Sequence, residues 1–137
     1  MRILGLDPGS KRVGVALSDD LQMIAQPLDY IPAQPFEELA TKLADLIKEQ
    51  DVESVIVGMP RNMDGSYGPA AEKSKVFIAK LKDTIKIPIR EWDERLTSAQ
   101  ANRVLIAGNV SRSKRKEKVD KMAAAILLQS FLDAQSL

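Results

Sequence analysis

The chain's 137 residues are enough for one domain with a real core and too few for two ordinary ones. Hydrophobic residues make up 45% and charged residues 28%, the balance of a soluble globular protein rather than a disordered one. Lys and Arg number 20 against 19 Asp and Glu, so the net charge of +1 makes any nucleic-acid surface a local one; with no Cys and no His, disulfides, thiol catalysis, Cys-ligated zinc and an imidazole base are excluded.

The first apolar run, Ile3 to Leu6, ends on an acid, Asp7, and Pro8-Gly9 makes a turn. A second run puts Val13, Val15 and Leu17 on one face and Gly14, Ala16 and Ser18 on the other. This spacing predicts a β-hairpin whose first strand delivers a carboxylate at its C-terminal end. Asp19-Asp20 is a polar turn, and Met23 to Ile31 reads as a third strand, placed at an edge by Pro27. Pro35 suits the first turn of a helix in which Phe36, Leu39, Leu43, Leu46 and Ile47 recur at helical spacing. Ser54 to Gly58 is short, β-branched and apolar on both faces, as a buried parallel strand should be.

A turn-rich loop, Met59 to Gly68, leaves that strand. Pro69 opens the next helix, with Ala71, Ser74, Phe77, Ile78 and Leu81 inward. Ile87 to Trp92 is a fifth strand, ending on Asp93-Glu94-Arg95. Thr97 and Gln100 form a capping box for a helix that runs to Gly108. Asn109 to Glu117 reads as a polar, basic loop, and from Val119 a last helix carries Val119, Ala123, Ile126, Leu127, Ser130 and Phe131 on one stripe. The N-terminus has no signal-peptide pattern, and the longest uncharged apolar run, Met122 to Leu128, is far short of a bilayer span. A cytoplasmic protein without membrane contact is expected.

This order implies an α/β fold. Hairpins pair the first three strands, and helical crossovers bring the fourth and fifth parallel to the first. With the first strand central, a five-stranded mixed sheet of order 3-2-1-4-5 results, with helices on both faces, in one domain over 1–137. The chain leaves the first strand in different directions on either side, and ligands bind beyond the C-terminal strand ends at such a switch point. Asp7 and Asp93-Glu94-Arg95 fall there. Asp7 also has a plain reading as a turn cap before Gly9. The acids at 93–94, and Asp120 in the first turn of the last helix, also have plain readings as acids at helix N-termini. Together, three carboxylates from separate segments make a hard-metal site suited to Mg²⁺, whose chemistry in phosphodiester hydrolysis needs neither His nor Cys. Arg112, Lys114, Arg115, Lys116 and Lys118 cluster beside Asp120, and Lys11, Arg12, Arg61 and Arg95 add positive charge at the same edge, the kind of charge that binds phosphate backbones. Trp92 and Tyr67 are candidates to stack on a base, Trp92 equally a buried ring.

With these residues in place, the chain resembles the YqgF family, RNase H-like Holliday junction resolvases also described as pre-16S rRNA nucleases. Asp7-x-Gly9-x-Lys11-x-x-Gly14 is similar to the family's first-strand motif, and Gly58-x-Pro60-x-Asn62-x-Asp64-Gly65 to the loop after its fourth strand. Asp93-Glu94-Arg95-Leu96-Thr97 resembles its fifth-strand motif, and Lys118-x-Asp120-x-x-Ala123-Ala124 its last helix. The resemblance implies an RNase H-like fold and a metal-dependent endonuclease with Asp7, Glu94 and Asp120 as both the catalytic and the Mg²⁺- or Mn²⁺-binding triad. It implies structured RNA or branched DNA as partner and a role in rRNA maturation during ribosome biogenesis or in junction resolution; a monomer or weak homodimer is expected. Two other readings stand beside it. The first hairpin is also similar to the phosphate-binding hairpin of actin-like ATPases, though those close two lobes around ATP and this chain supplies one. A nucleic-acid-binding adaptor without turnover would keep the basic segment alone.

Overall fold

The computed structural model describes residues 1–60, 68–93 and 112–135, with the backbone alone described for 112–121. Strands β1 (Arg2–Pro8), β2 (Arg12–Ser18) and β3 (Ala25–Pro32) are followed by α1 (Phe36–Glu49), β4 (Val52–Met59), α2 (Pro69–Thr84), β5 (Ile89–Asp93) and α3 (Arg112–Gln135). They form one sheet of order β3-β2-β1-β4-β5. β1 pairs antiparallel with β2 and parallel with β4, which places it at the centre, as the hairpin-and-crossover argument requires. β3 pairs antiparallel with β2, and β5 parallel with β4.

Alternation along the strands divides the core in two. Leu4, Leu6, Val13, Val15, Val55 and Val57 face α1 and α2, where Leu39, Leu43, Ile78 and Leu81 are buried against them. Ile3, Ala16 and Ile56 face the other way, onto Ala124, Ala125, Leu128, Phe131 and Leu132 of α3. Each fully buried Leu or Ile contributes about 1.5–3 kcal/mol of transfer free energy, so both layers add to the stability of the sheet. Among the described residues no helix is long and apolar enough to cross a membrane.

Several expectations shift, beginning with β5, which runs over Ile89–Asp93 rather than Ile87 to Trp92. β3 starts at Ala25, not Met23, because the Asp19 carboxylate accepts the backbone N–H of Met23 (2.8 Å) and of Ile24 (2.9 Å) and holds both in the turn. Those two bonds also pull the Asp19 carboxyl below its ordinary value. Pro35 is the residue before α1 rather than within its first turn. The largest change is in the last helix. Residues 112–117, expected in a basic loop, are helical, and Asp120 lies in the third turn of α3 rather than its first. Arg, Lys and Glu are good helix formers, and no Gly or Pro interrupts the run after Gly108. The buried stripe of α3 is also rotated by one position, to Ala124, Ala125, Leu127, Leu128, Phe131 and Leu132. The helix expected over 97–108 lies outside the described residues.

Candidate functional site

Asp7 is the next-to-last residue of β1, opposite Gly14 of β2. Ile3 and Gly5 share its side of the strand, so its carboxylate rises on the face that α3 covers, at the C-terminal edge of the sheet. Small residues let the helix come close. A Cβ on Gly5 would lie 2.9 Å from Leu128 Cβ and 3.4 Å from the Ala124 carbonyl oxygen. A Cβ on Gly14 would lie 3.4 Å from Asp7 Cβ and 3.5 Å from Ala124 Cβ. Asp7, Gly14 and Ala124 therefore meet where β1, β2 and α3 converge, and Asp7 is half-buried there.

The turn that follows is tightly fixed. The Gly9 N–H donates to the Arg12 carbonyl at 3.0 Å, and a Cβ at Gly9 would sit 2.6 Å from that same oxygen, so only glycine fits. The Ala33 N–H donates to the Lys11 carbonyl at 3.0 Å and ties the turn to the segment before α1. A cleft of about 510 Å³ opens beside it, lined by Asp7, Ser10, Lys11, Arg12, Gly14 and Tyr30. The Arg12 guanidinium carbon sits 4.2 Å from the centre of the Tyr30 ring. One carboxylate, two cations and an aromatic ring thus share one depression. A larger cavity of about 640 Å³ lies across the turn, between α1 and α2, with Phe36, Phe77, Lys73 and Lys80 in its walls and without Asp7.

Of the residues singled out from the sequence, the structure brings Asp7, Lys11 and Arg12 together in this cleft. Arg112, Lys114, Arg115, Lys116, Lys118 and Asp120 are placed along the first turns of α3, their side chains outside the described residues. Arg61, Tyr67, Glu94 and Arg95 also lie outside them. Among the described residues no group of three or more His, Cys, Asp or Glu could hold a metal ion, and Asp7 is the one member of the expected triad whose side chain is described. Trp92 serves packing. Its Nε1–H donates to Ser130 Oγ at 3.2 Å, and its ring stands edge-on to Phe131, with centroids 5.2 Å apart. Sequence reasoning missed Tyr30, because β3 carries a bulge. Val13 pairs with Ile31 but Val15 with Leu28, so an extra residue shifts which side chains face α3.

Comparison with known proteins agrees with this architecture. The RuvX family, described as Holliday junction resolvase, matches residues 1–134. A protein named "Putative pre-16S rRNA nuclease" from Desulforamulus reducens is 50% identical over 134 residues, covering 98% of both chains. One of the same name from Halothermothrix orenii is 50% identical over 136 residues, covering 99% of this chain and 97% of the relative. Among solved structures, T. thermophilus RuvC in complex with a Holliday junction substrate superposes with a TM-score of 0.58 at 16% identity, covering 99% of this chain and 96% of that one. That likeness establishes the RuvC-like, RNase H-type fold. The match over residues 1–134 and the half-identical relatives establish more: this chain belongs to the RuvX (YqgF) family of nucleases.

Proposed function

We propose that the chain is a divalent-metal-dependent endonuclease that hydrolyses phosphodiester bonds in structured nucleic acid, with Asp7, Glu94 and Asp120 holding Mg²⁺ or Mn²⁺. The observation that carries this is the position of Asp7, at the C-terminal end of the central strand and against Ala124 of α3. Position 120 is one helical turn before Ala124, on the same line of the helix. It is also well inside α3, which removes the plain reading of Asp120 as an acid at a helix N-terminus. On β5, Trp92 packs against α3, so by strand alternation its neighbour Asp93 lies on the face away from Asp7, which leaves Glu94 as the acid of the pair assigned to the triad.

An all-carboxylate donor set suits a hard cation that keeps room for water and phosphate oxygens. Bound there, such a cation supplies Lewis-acid stabilisation of the phosphoryl oxygens and lowers the pKa of water. The chain's own residues do the rest. Asp7 would hold the cation at the end of β1, and through it the position of the reacting phosphate. Lys11 and Arg12 neutralise the neighbouring phosphates from the hairpin, and the basic turns of α3 extend that contact. Relatives half-identical to this chain carry the pre-16S rRNA nuclease name, whereas the solved junction resolvase shares 16% identity. Precursor 16S rRNA end processing is therefore the favoured substrate assignment, and junction DNA the second.

The test is cleavage of a 16S precursor fragment and of a four-way DNA junction, with and without Mg²⁺. Asp7→Asn should fold and bind normally while losing more activity than the ~10–100-fold typical of changes around a metal site. Cleavage by Asp7→Asn at the wild-type rate, in enzyme free of contaminating nuclease, overturns the assignment. Binding without turnover on either substrate by the wild type would return the chain to an adaptor role.

A further inference from the structure

We infer that Tyr30 is a positioning residue for nucleic-acid binding: its ring holds the Arg12 guanidinium at the mouth of the Asp7 cleft, aimed at a phosphate of the bound strand. The inference rests on the nuclease reading above and adds a residue to it.

Three observations meet at this point. Arg12 is exposed at the first position of β2, where an unsupported side chain would sample many rotamers. Its guanidinium carbon instead lies 4.2 Å from the Tyr30 ring centre, the geometry of a cation–π contact. Both residues line the cleft that contains Asp7. The bulge explains how Tyr30 gets there. Val13 and Val15 both face α1 and α2, yet their β3 partners, Ile31 and Leu28, are three residues apart. Ile31 packs into that first core layer, so Tyr30, its neighbour, stands on the opposite face, the side of Asp7 and Gly14. Gly14 has no side chain to fill the space between them. A ring in contact with the guanidinium carbon restrains the side chain without using its N–H donors, by whose in-plane, two-point bonds Arg recognises phosphate. Holding the fork in place before binding removes part of the ordering cost of that contact.

The experiment measures affinity of the full chain for a fluorescent four-way DNA junction and for a stem–loop RNA, without divalent ions, across a salt series. Arg12→Gln should weaken binding and reduce the slope of log K against log salt by about one, the loss of one phosphate contact. Tyr30→Leu should weaken binding by about two- to fivefold, the equivalent of an exposed cation–π contact, and Tyr30→Phe should retain wild-type affinity. In the Arg12→Gln background, Tyr30→Leu should add nothing. An equal loss in both backgrounds, or no loss in the wild type, overturns the inference. Should Tyr30→Leu fail to fold, Arg12→Lys addresses the same contact from the other side: it keeps the charge, loses the stacked plane, and should bind more weakly. Wild-type affinity in Arg12→Lys overturns the inference. A wild type that binds neither probe overturns both this and the nuclease reading. One that binds with the expected coupling but never cleaves overturns the nuclease reading alone, and one that cleaves without the coupling overturns this inference alone.

Discussion

Gly5 and Asp7 share one face of β1, and the first sets the conditions for the second. At Gly5 α3 lies close against the sheet, with a hypothetical Cβ 2.9 Å from Leu128 Cβ. In Gly5→Ala the helix has to move, because the obstacle includes its backbone as well as a β-carbon. Overpacking of this kind costs about 1–3 kcal/mol. At roughly 4 °C per kcal/mol for a domain of this size, the melting temperature should fall by ~4–12 °C. Gly14→Ala meets its neighbours at ordinary contact distances of 3.4–3.5 Å and should lose much less. Thermal unfolding of the wild type and the two variants checks this, and equal losses for Gly5→Ala and Gly14→Ala would remove the close-approach argument. At this scale the sequence was informative where chemistry and strand parity coincide. Asp7 ended an apolar strand and could be picked out. Tyr30 could not, because a bulge changes parity without leaving a mark in composition.

At the scale of elements, α3 is the part that reaches everything else. Its C-terminal half pins the β2–β3 turn: Gln129 Oε1 accepts the Ala25 N–H at 2.9 Å, and Gln129 Nε2 donates to the Met23 carbonyl at 2.9 Å. Gln135 Nε2 donates to Gln22 Oε1, also at 2.9 Å, and Gln22 Nε2 donates to the Met1 carbonyl and to Glu53. Ser130 and Phe131 hold Trp92 of β5. The same helix thus clamps both edges of the sheet at one end and carries position 120 towards Asp7 at the other. Gln129→Ala removes two backbone-satisfying bonds worth about 1 kcal/mol each. It should destabilise by about 1–2 kcal/mol and speed amide exchange at Ala25, far from the cleft, with affinity for nucleic acid unchanged. Unaltered protection of the Ala25 amide would show that the turn holds itself. Helix α1 was legible because its apolar positions alternate with charge at helical spacing, and the central strands because they are short apolar runs bounded by turn residues. The start and rotation of α3 were not. Its first turns are too polar to show an apolar period, and Met122 to Leu128 is apolar all round, so the stripe that faces the sheet is chosen by the glycines beneath it.

Across the whole molecule, sheet order was legible because hairpins and crossover connections leave few topologies for five strands. The arrangement of charge was not, and the helical state of residues 112–118 changes it. With a net charge of +1, affinity for a polyanion depends on where the cations stand. A flexible basic loop would let Arg112, Lys114, Arg115, Lys116 and Lys118 all turn to one strand of nucleic acid. A helix separates them at roughly 100° per residue. Measured from the line of Ala124, which meets the sheet beside Asp7, positions 114 and 116 stand about 80° to either side and position 115 stands about 180° away. Lys114→Gln and Lys116→Gln should therefore each weaken binding and take about one unit from the salt slope, while Arg115→Gln leaves the slope near the wild-type value. Fluorescence anisotropy with one structured RNA across a salt series separates the two arrangements. If all three substitutions flatten the slope equally, the cluster meets its partner as a loop would, and its division between the faces of α3 does not govern binding. If only Lys114 and Lys116 do, the phosphate path runs along the side of α3 that leads to Asp7, and the central strand and the last helix together define the track on which the backbone lies.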